Sequence, residues 1–173
     1  MPTVDIDLNP NQARFLKDQS PVVGFFGGIG NGKTYAGILK GLARVLDPSE
    51  PPQLGMISRL TYPELRDSTQ RTFFELTHMF GLLPGIHYTY NKQENRVAFT
   101  NGHEIVFRSL DDPAKLLSIN LGWFYIDQAE EVSEEVFLTL LGRLRAVAKP
   151  KCWITGNPLG HNWVWHRFIH DPV

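Results

Sequence analysis

Residues 27–34 read Gly27-Gly28-Ile29-Gly30-Asn31-Gly32-Lys33-Thr34, a complete match to G-x-x-x-x-G-K-[ST]. No other feature constrains the fold as strongly, because this loop needs a strand before it and a helix after it. Pro21–Phe26 is a short apolar run that reads as a buried strand. From Lys33 to Leu46, the residues Ala36, Ile38, Leu39, Leu42, Ala43, Val45 and Leu46 recur at helical spacing. Strand, glycine loop and helix in this order make a cradle for phosphate. Glycines let backbone N–H groups turn inward, and the helix start offers unpaired N–H groups with a partial positive charge. Lys33 adds a point charge toward the β- and γ-phosphates, and Thr34 a hydroxyl toward Mg²⁺. The ligand implied is a nucleoside triphosphate, ATP with Mg²⁺, contacted by Gly27, Gly28, Gly30, Asn31, Gly32, Lys33 and Thr34.

The rest of the chain alternates strands and helices. Asn9-Pro10 marks the start of a short helix after an N-terminal arm, and Leu54–Ser58 is a second strand. Thr61–Phe80 reads as one long helix, ended by Gly81, Pro84 and Gly85. The period then changes to two around Val97, Phe99, Ile105 and Phe107, with Asn101-Gly102 between them, a strong hairpin signal. This hairpin, within residues 88–109, is expected as an insertion or a sheet edge. Trp123–Ile126 is a continuous apolar run, hence a central strand, and it stops at Asp127. Ser133 caps the next helix, and Cys152–Thr155 is a further strand ending at Gly156-Asn157-Pro158. The fold expected is α/β, with a mostly parallel sheet flanked by helices.

Strand ends on one edge of such a sheet face the ligand. Asp127 there is a candidate to hold Mg²⁺ or its water shell. A carboxylate that polarises the attacking water is expected beside it, but the next residue is Gln128. Glu130 is the nearest carboxylate, and the choice between Gln128 and Glu130 stays open. Thr155 and Asn157 are placed to hydrogen-bond the γ-phosphate or the water. Gln12 carries a side-chain amide able to pair with adenine, with a solvent-facing helix residue as the competing reading.

Taken together these segments resemble the ATPase domain of the large terminase subunit of tailed bacteriophages. The resemblance runs from Leu8–Gln12 to His161–Phe168. It is carried most specifically by Ser58-Arg59-Leu60-Thr61-Tyr62-Pro63-Glu64-Leu65-Arg66-Asp67-Ser68, Tyr125-Ile126-Asp127-Gln128-Ala129-Glu130-Glu131-Val132 and Thr155-Gly156-Asn157-Pro158. It implies a P-loop NTPase fold of the additional-strand type, with residues 1–173 as a single ATPase domain and the family's nuclease domain absent. It makes Gln12 the adenine contact, residues 27–34 the Walker A loop and Asp127 the Walker B aspartate. Thr155, Gly156 and Asn157 become the motif coupling hydrolysis to movement. The partners implied are double-stranded DNA, a homo-oligomeric ring on a portal and a small terminase subunit, in the host cell cytoplasm.

Three departures from the family pattern stand out. Ile29 occupies a loop position where many members have a basic residue, and Gln128 follows the aspartate where many have Glu. Leu117 precedes Ser118 where many have a cation that acts on a neighbouring subunit. Lys115, Arg143 and Arg145 are the alternatives for that role. Arg59, Arg66, Arg71 and Lys92 are equal candidates for DNA contact. A helicase-like or DNA-repair P-loop ATPase, and a nucleotide-dependent binding module without hydrolysis, are the rival readings.

Bulk properties narrow this little further. The net charge of −1 marks no nucleic-acid partner, so DNA contact requires a local patch. The single cysteine, Cys152, excludes a disulfide within the chain, fits a reducing compartment and reads as a small buried hydrophobe. No run of roughly 18 apolar residues suggests a membrane span.

Overall fold

The computed structural model describes residues 5–157 and 160–170. Residues 1–4, Pro158 of the Thr155–Pro158 segment, Leu159 and Asp171-Pro172-Val173 lie outside them. The elements follow the alternation of the sequence. They are α1 (Pro10–Lys17), β1 (Val22–Phe26), α2 (Lys33–Leu46), β2 (Leu54–Arg59), α3 (Tyr62–Glu64), a π-helical segment (Leu65–Gln70) and α4 (Arg71–Met79). There follow β3 (Tyr88–Asn91), β4 (Arg96–Phe99), β5 (Glu104–Ser109), β6 (Trp123–Ile126), α5 (Glu134–Leu141), β7 (Lys151–Gly156) and α6 (Trp163–Trp165).

One seven-stranded sheet runs in the order β1-β7-β6-β2-β5-β4-β3. β1, β7, β6, β2 and β5 are mutually parallel, while β4 and β3 complete the edge in antiparallel fashion. β7 lies between the strand entering the phosphate loop and the strand ending at Asp127, as the additional-strand arrangement requires. The expected hairpin region is the sheet edge rather than an insertion. Its last strand, β5, also pairs in parallel with β2 over Leu54–Arg59, so it belongs to the sheet core.

β6 shows why the core has two halves. Successive strand residues face opposite sides, so Trp123 and Tyr125 point to α1, α2 and α4, while Phe124 and Ile126 point to α5 and α6. All four are fully buried, which is what an apolar run without alternation signals in a parallel sheet. Trp123 stacks on Trp153 with ring centroids 4.9 Å apart, and Trp153 Nε1 donates to the carbonyl of Gly37 at 2.8 Å. That approach brings the phosphate-loop helix onto the sheet.

Asn9 and Gln12 form a reciprocal capping box at the start of α1. The other end of α1 is held by Lys40 of α2, whose Nζ donates to the carbonyls of Phe15 and Asp18 at 2.7 Å each. Burial pulls the Lys40 ammonium down to about 8. The clamp fixes α1, and with it Gln12, against the loop helix.

Cys152 is 1% exposed, and burial pushes its thiol up to about 12. The thiolate is the reactive form. In the folded chain Cys152 is expected to resist iodoacetamide at pH 8, with full alkylation after denaturation, as read by intact mass. Rapid modification of the native protein would contradict this burial.

Candidate functional site

The parallel strands end together, and their ends build the site. Phe26 of β1 leads directly into the loop, and the N–H of Gly27 donates to the carbonyl of Gly156 at the end of β7 (3.4 Å). Gly30 and Gly32 have φ of 81° and 66°, a left-handed conformation that side chains disfavour. Gly32 has a second constraint, since a Cβ would sit 2.5 Å from Gln12 Nε2. Lys33 is 8% exposed and folds back, its Nζ donating to the carbonyl of Gly28 at 2.6 Å. The ammonium therefore already lies within the loop that is read as holding phosphates. Ile29, 92% exposed, stands out from the loop tip.

Asp127 follows β6 and is 2% exposed. Four hydroxyls surround its carboxylate. Thr34 Oγ1 lies 3.0 Å from both carboxylate oxygens. Tyr125 and Thr155 approach Oδ1 at 3.0 and 2.9 Å, and Thr69 donates to Oδ2 at 2.7 Å. Tyr125 and Thr155 also lie 2.7 Å from each other. Burial, and then the adjacent Asp127 charge, hold the Tyr125 phenol well above its usual range, so it remains a proton donor. Among the described residues no lysine or arginine forms an ion pair with Asp127. A buried carboxylate with only neutral donors, touching a threonine hydroxyl at the head of the phosphate-loop helix, is an oxygen donor set that suits a hard divalent cation such as Mg²⁺.

The two candidates for handling water differ in their surroundings. Gln128 has φ 55° and ψ 55°, left-handed for a non-glycine residue, and its Oε1 accepts from Asn157 Nδ2 at 3.3 Å. Such strained backbone clusters at functional sites. Glu130 instead packs over Gly156, where any side chain would collide with its carboxylate. Its Oε2 is buried without a hydrogen-bond partner among the described residues. Glu130 thus lies against the residue that anchors the start of the loop.

Other sequence expectations sort themselves by geometry. Gln12 does reach the loop, donating from Nε2 to the carbonyl of Gly32 at 3.3 Å, while its Oε1 is taken by the capping box. Both ends of the amide are therefore engaged within the chain. Arg59, taken with Arg66, Arg71 and Lys92 as a surface cation, is largely buried and lies within 4 Å of Glu64 and Glu131 (3.9 and 3.7 Å). Arg66, Arg71 and Lys92 are exposed. Lys115 is exposed and paired with Asp112, and Arg145 donates to Asn120. Thr69 was missed altogether. A threonine within a helical stretch normally reads as one that bonds its own helix, and no spacing rule marks it out.

Comparison with known proteins follows the same lines. The family model described as phage terminase large subunit matches residues 22–172. The chain belongs to this family. The PBSX phage terminase large subunit of Bacillus subtilis (strain 168) is 31% identical over 169 residues, covering 95% of this chain and 38% of the relative. Among solved structures, the large terminase of a thermophilic bacteriophage in complex with ADP superposes with a TM-score of 0.79 at 15% identity, covering 94% of this chain and 42% of that one. The same terminase is known in complex with ATP-gamma-S. The large terminase ATPase domain of a Thermus phage matches with a TM-score of 0.70 at 18% identity, over 92% of this chain and 68% of that one. The chain spans about two fifths of the length of the curated relative and of the thermophilic phage terminase.

Proposed function

We propose that residues 1–173 form the ATPase part of a phage terminase large subunit, hydrolysing ATP with Mg²⁺ to drive double-stranded DNA into a procapsid in the host cytoplasm. The observation that carries this reading is the meeting of Thr34, at the head of the phosphate-loop helix, with the buried Asp127 carboxylate. Family membership and the ADP and ATP-gamma-S complexes of a terminase of the same fold support it.

In this reading the loop N–H groups and Lys33 hold the phosphates, and Thr34 with Asp127 holds Mg²⁺. The bound ion would neutralise charge on the β- and γ-phosphate oxygens. Glu130, with its unpartnered oxygen beside Gly156, orients the attacking water in preference to Gln128, whose amide oxygen is engaged by Asn157. Thr155 touches Asp127 and begins the Thr155-Gly156-Asn157 end of β7, so a change at the phosphates reaches Asn157 and Gln128 through one short segment. Gln12 turns to adenine by releasing Gly32. A homo-oligomeric ring on a portal, working with a small terminase subunit, brings in the cation that acts on a neighbouring subunit; Lys115, Arg143 and Arg145 stay in contention for that role.

Gln128 in the place of a second carboxylate favours one rival, a module that binds nucleotide without hydrolysing it. Phosphate release from ATP decides between them. Slow, Mg²⁺-dependent turnover abolished by EDTA and by Glu130→Ala is expected, with no strand separation of duplex DNA. Binding with no turnover in any assembly would leave the binding module, and unwinding would point to a helicase.

A further inference from the structure

The cluster around Asp127 has more hydroxyl contacts than protons. Tyr125 and Thr155 share two protons among three close approaches, to each other and to Oδ1. Thr34 has one proton for two carboxylate oxygens, and its hydroxyl is the one read as a metal ligand. Thr69 alone has a single acceptor, Oδ2, at the shortest distance to the carboxylate, 2.7 Å. It is fully buried, so no water competes for the bond.

Other threonines in this chain behave differently. Thr72, Thr77 and Thr139 each return the hydroxyl to a carbonyl three or four residues back along the same helical run. That is the usual outcome for a helical threonine. Thr69 instead reaches across to the residue that follows β6, and it does so from the π-helical segment Leu65–Gln70. Local π-helical turns inside α-helices recur at functional sites. The neighbouring Gln70 donates to Tyr90 OH at 2.6 Å, pinning the segment to the sheet edge as well.

We propose that Thr69 is a positioning residue for the metal site: its hydroxyl fixes Oδ2 of Asp127 so that the carboxylate and the Thr34 hydroxyl present oxygens to Mg²⁺ together. This rests on the reading of Asp127 and Thr34 as the metal-holding pair. Outer partners that orient metal ligands typically contribute 10–100-fold in metal affinity. Oδ1 is held redundantly, because loss of Tyr125 OH leaves Thr155 as a donor. Oδ2 loses its one dedicated donor when Thr69 is changed.

The test uses a fluorescent ADP analogue bound by the chain while Mg²⁺ is titrated. Thr69→Val is expected to raise the half-saturating Mg²⁺ about 10-fold or more, with affinity for the analogue in EDTA unchanged. Thr69→Ser, which keeps the hydroxyl, returns it to within about 3-fold of wild type, and Tyr125→Phe shifts it far less than Thr69→Val. Thr69→Ala serves as the second variant should the valine chain fail to fold. A wild-type Mg²⁺ titration in folded Thr69→Val or Thr69→Ala, or an equal shift in Tyr125→Phe, overturns the role of Thr69 alone. A wild-type chain whose binding of the analogue ignores Mg²⁺ overturns the metal-site reading and this inference together.

Discussion

Lys33→Ala is expected to weaken ATP binding by ~10–100-fold, the equivalent of one charge-assisted hydrogen bond of about 1.5–3 kcal/mol, and to cut phosphate release by ~10²–10³ where turnover is measurable. Lys33 is almost fully buried, yet among the described residues its Nζ has one hydrogen bond, to the Gly28 carbonyl. An ammonium carries three donors. Two are therefore free to meet phosphate oxygens inside a loop whose other donors are backbone N–H groups. Removing the charge leaves those N–H groups in place, so binding weakens without vanishing. Turnover falls further because charge on the transferring phosphoryl group is stabilised mainly by such fixed cations. The stability of the ligand-free chain should change little, since a single bond to one loop carbonyl is lost. Titration calorimetry and a phosphate-release assay check both halves. Turnover by Lys33→Ala at the wild-type rate would remove the loop from the mechanism and end the ATPase reading.

Much of this site was legible because its parts obey local rules. The loop is recognisable from glycine, lysine and threonine spacing alone, and α2 runs over Lys33–Leu46 as the apolar period predicts. Trp123–Ile126 reads as central because both of its faces are apolar, and it is buried on both. The Asn9…Gln12 spacing is itself a capping-box signature. It tells that Gln12 has a job within α1, which attention to adenine alone overlooks. What stayed hidden depends on contacts between distant segments. The Tyr62–Met79 region has a helical period throughout, so nothing in it betrays the π-helical turn at Leu65–Gln70. The proposal of Glu130 over Gln128 rests on contacts with Gly156, 26 residues from Glu130, and with Asn157, 29 residues from Gln128. Arg59 looked like a surface cation, and only the approach of Glu64 and Glu131 shows it turned inward.

Asp127→Asn and Asp127→Ala are both expected to lose the stabilisation that Mg²⁺ adds to the nucleotide-bound chain, about 2.7 kcal/mol at a 100-fold excess of ligand over its Kd in the wild type. Their ligand-free stabilities should differ from each other. Both variants remove the buried charge, so that contribution cancels in the comparison. Asparagine keeps a carbonyl oxygen within reach of the hydroxyls, whereas alanine keeps none. In the alanine variant Tyr125 and Thr155 can still pair, since they lie 2.7 Å apart, and half-buried Thr34 can turn to water. Thr69 is fully buried and loses its one acceptor. A buried donor left unsatisfied costs about 1–3 kcal/mol, so Asp127→Ala should unfold more easily than Asp127→Asn by roughly that amount. Introducing Thr69→Val into both removes the orphaned hydroxyl and should shrink the gap, a coupling that denaturant unfolding of the four variants measures. Equal stabilities of Asp127→Ala and Asp127→Asn would mean that the hydroxyls find other acceptors, and that the cage around Asp127 is looser than its distances indicate.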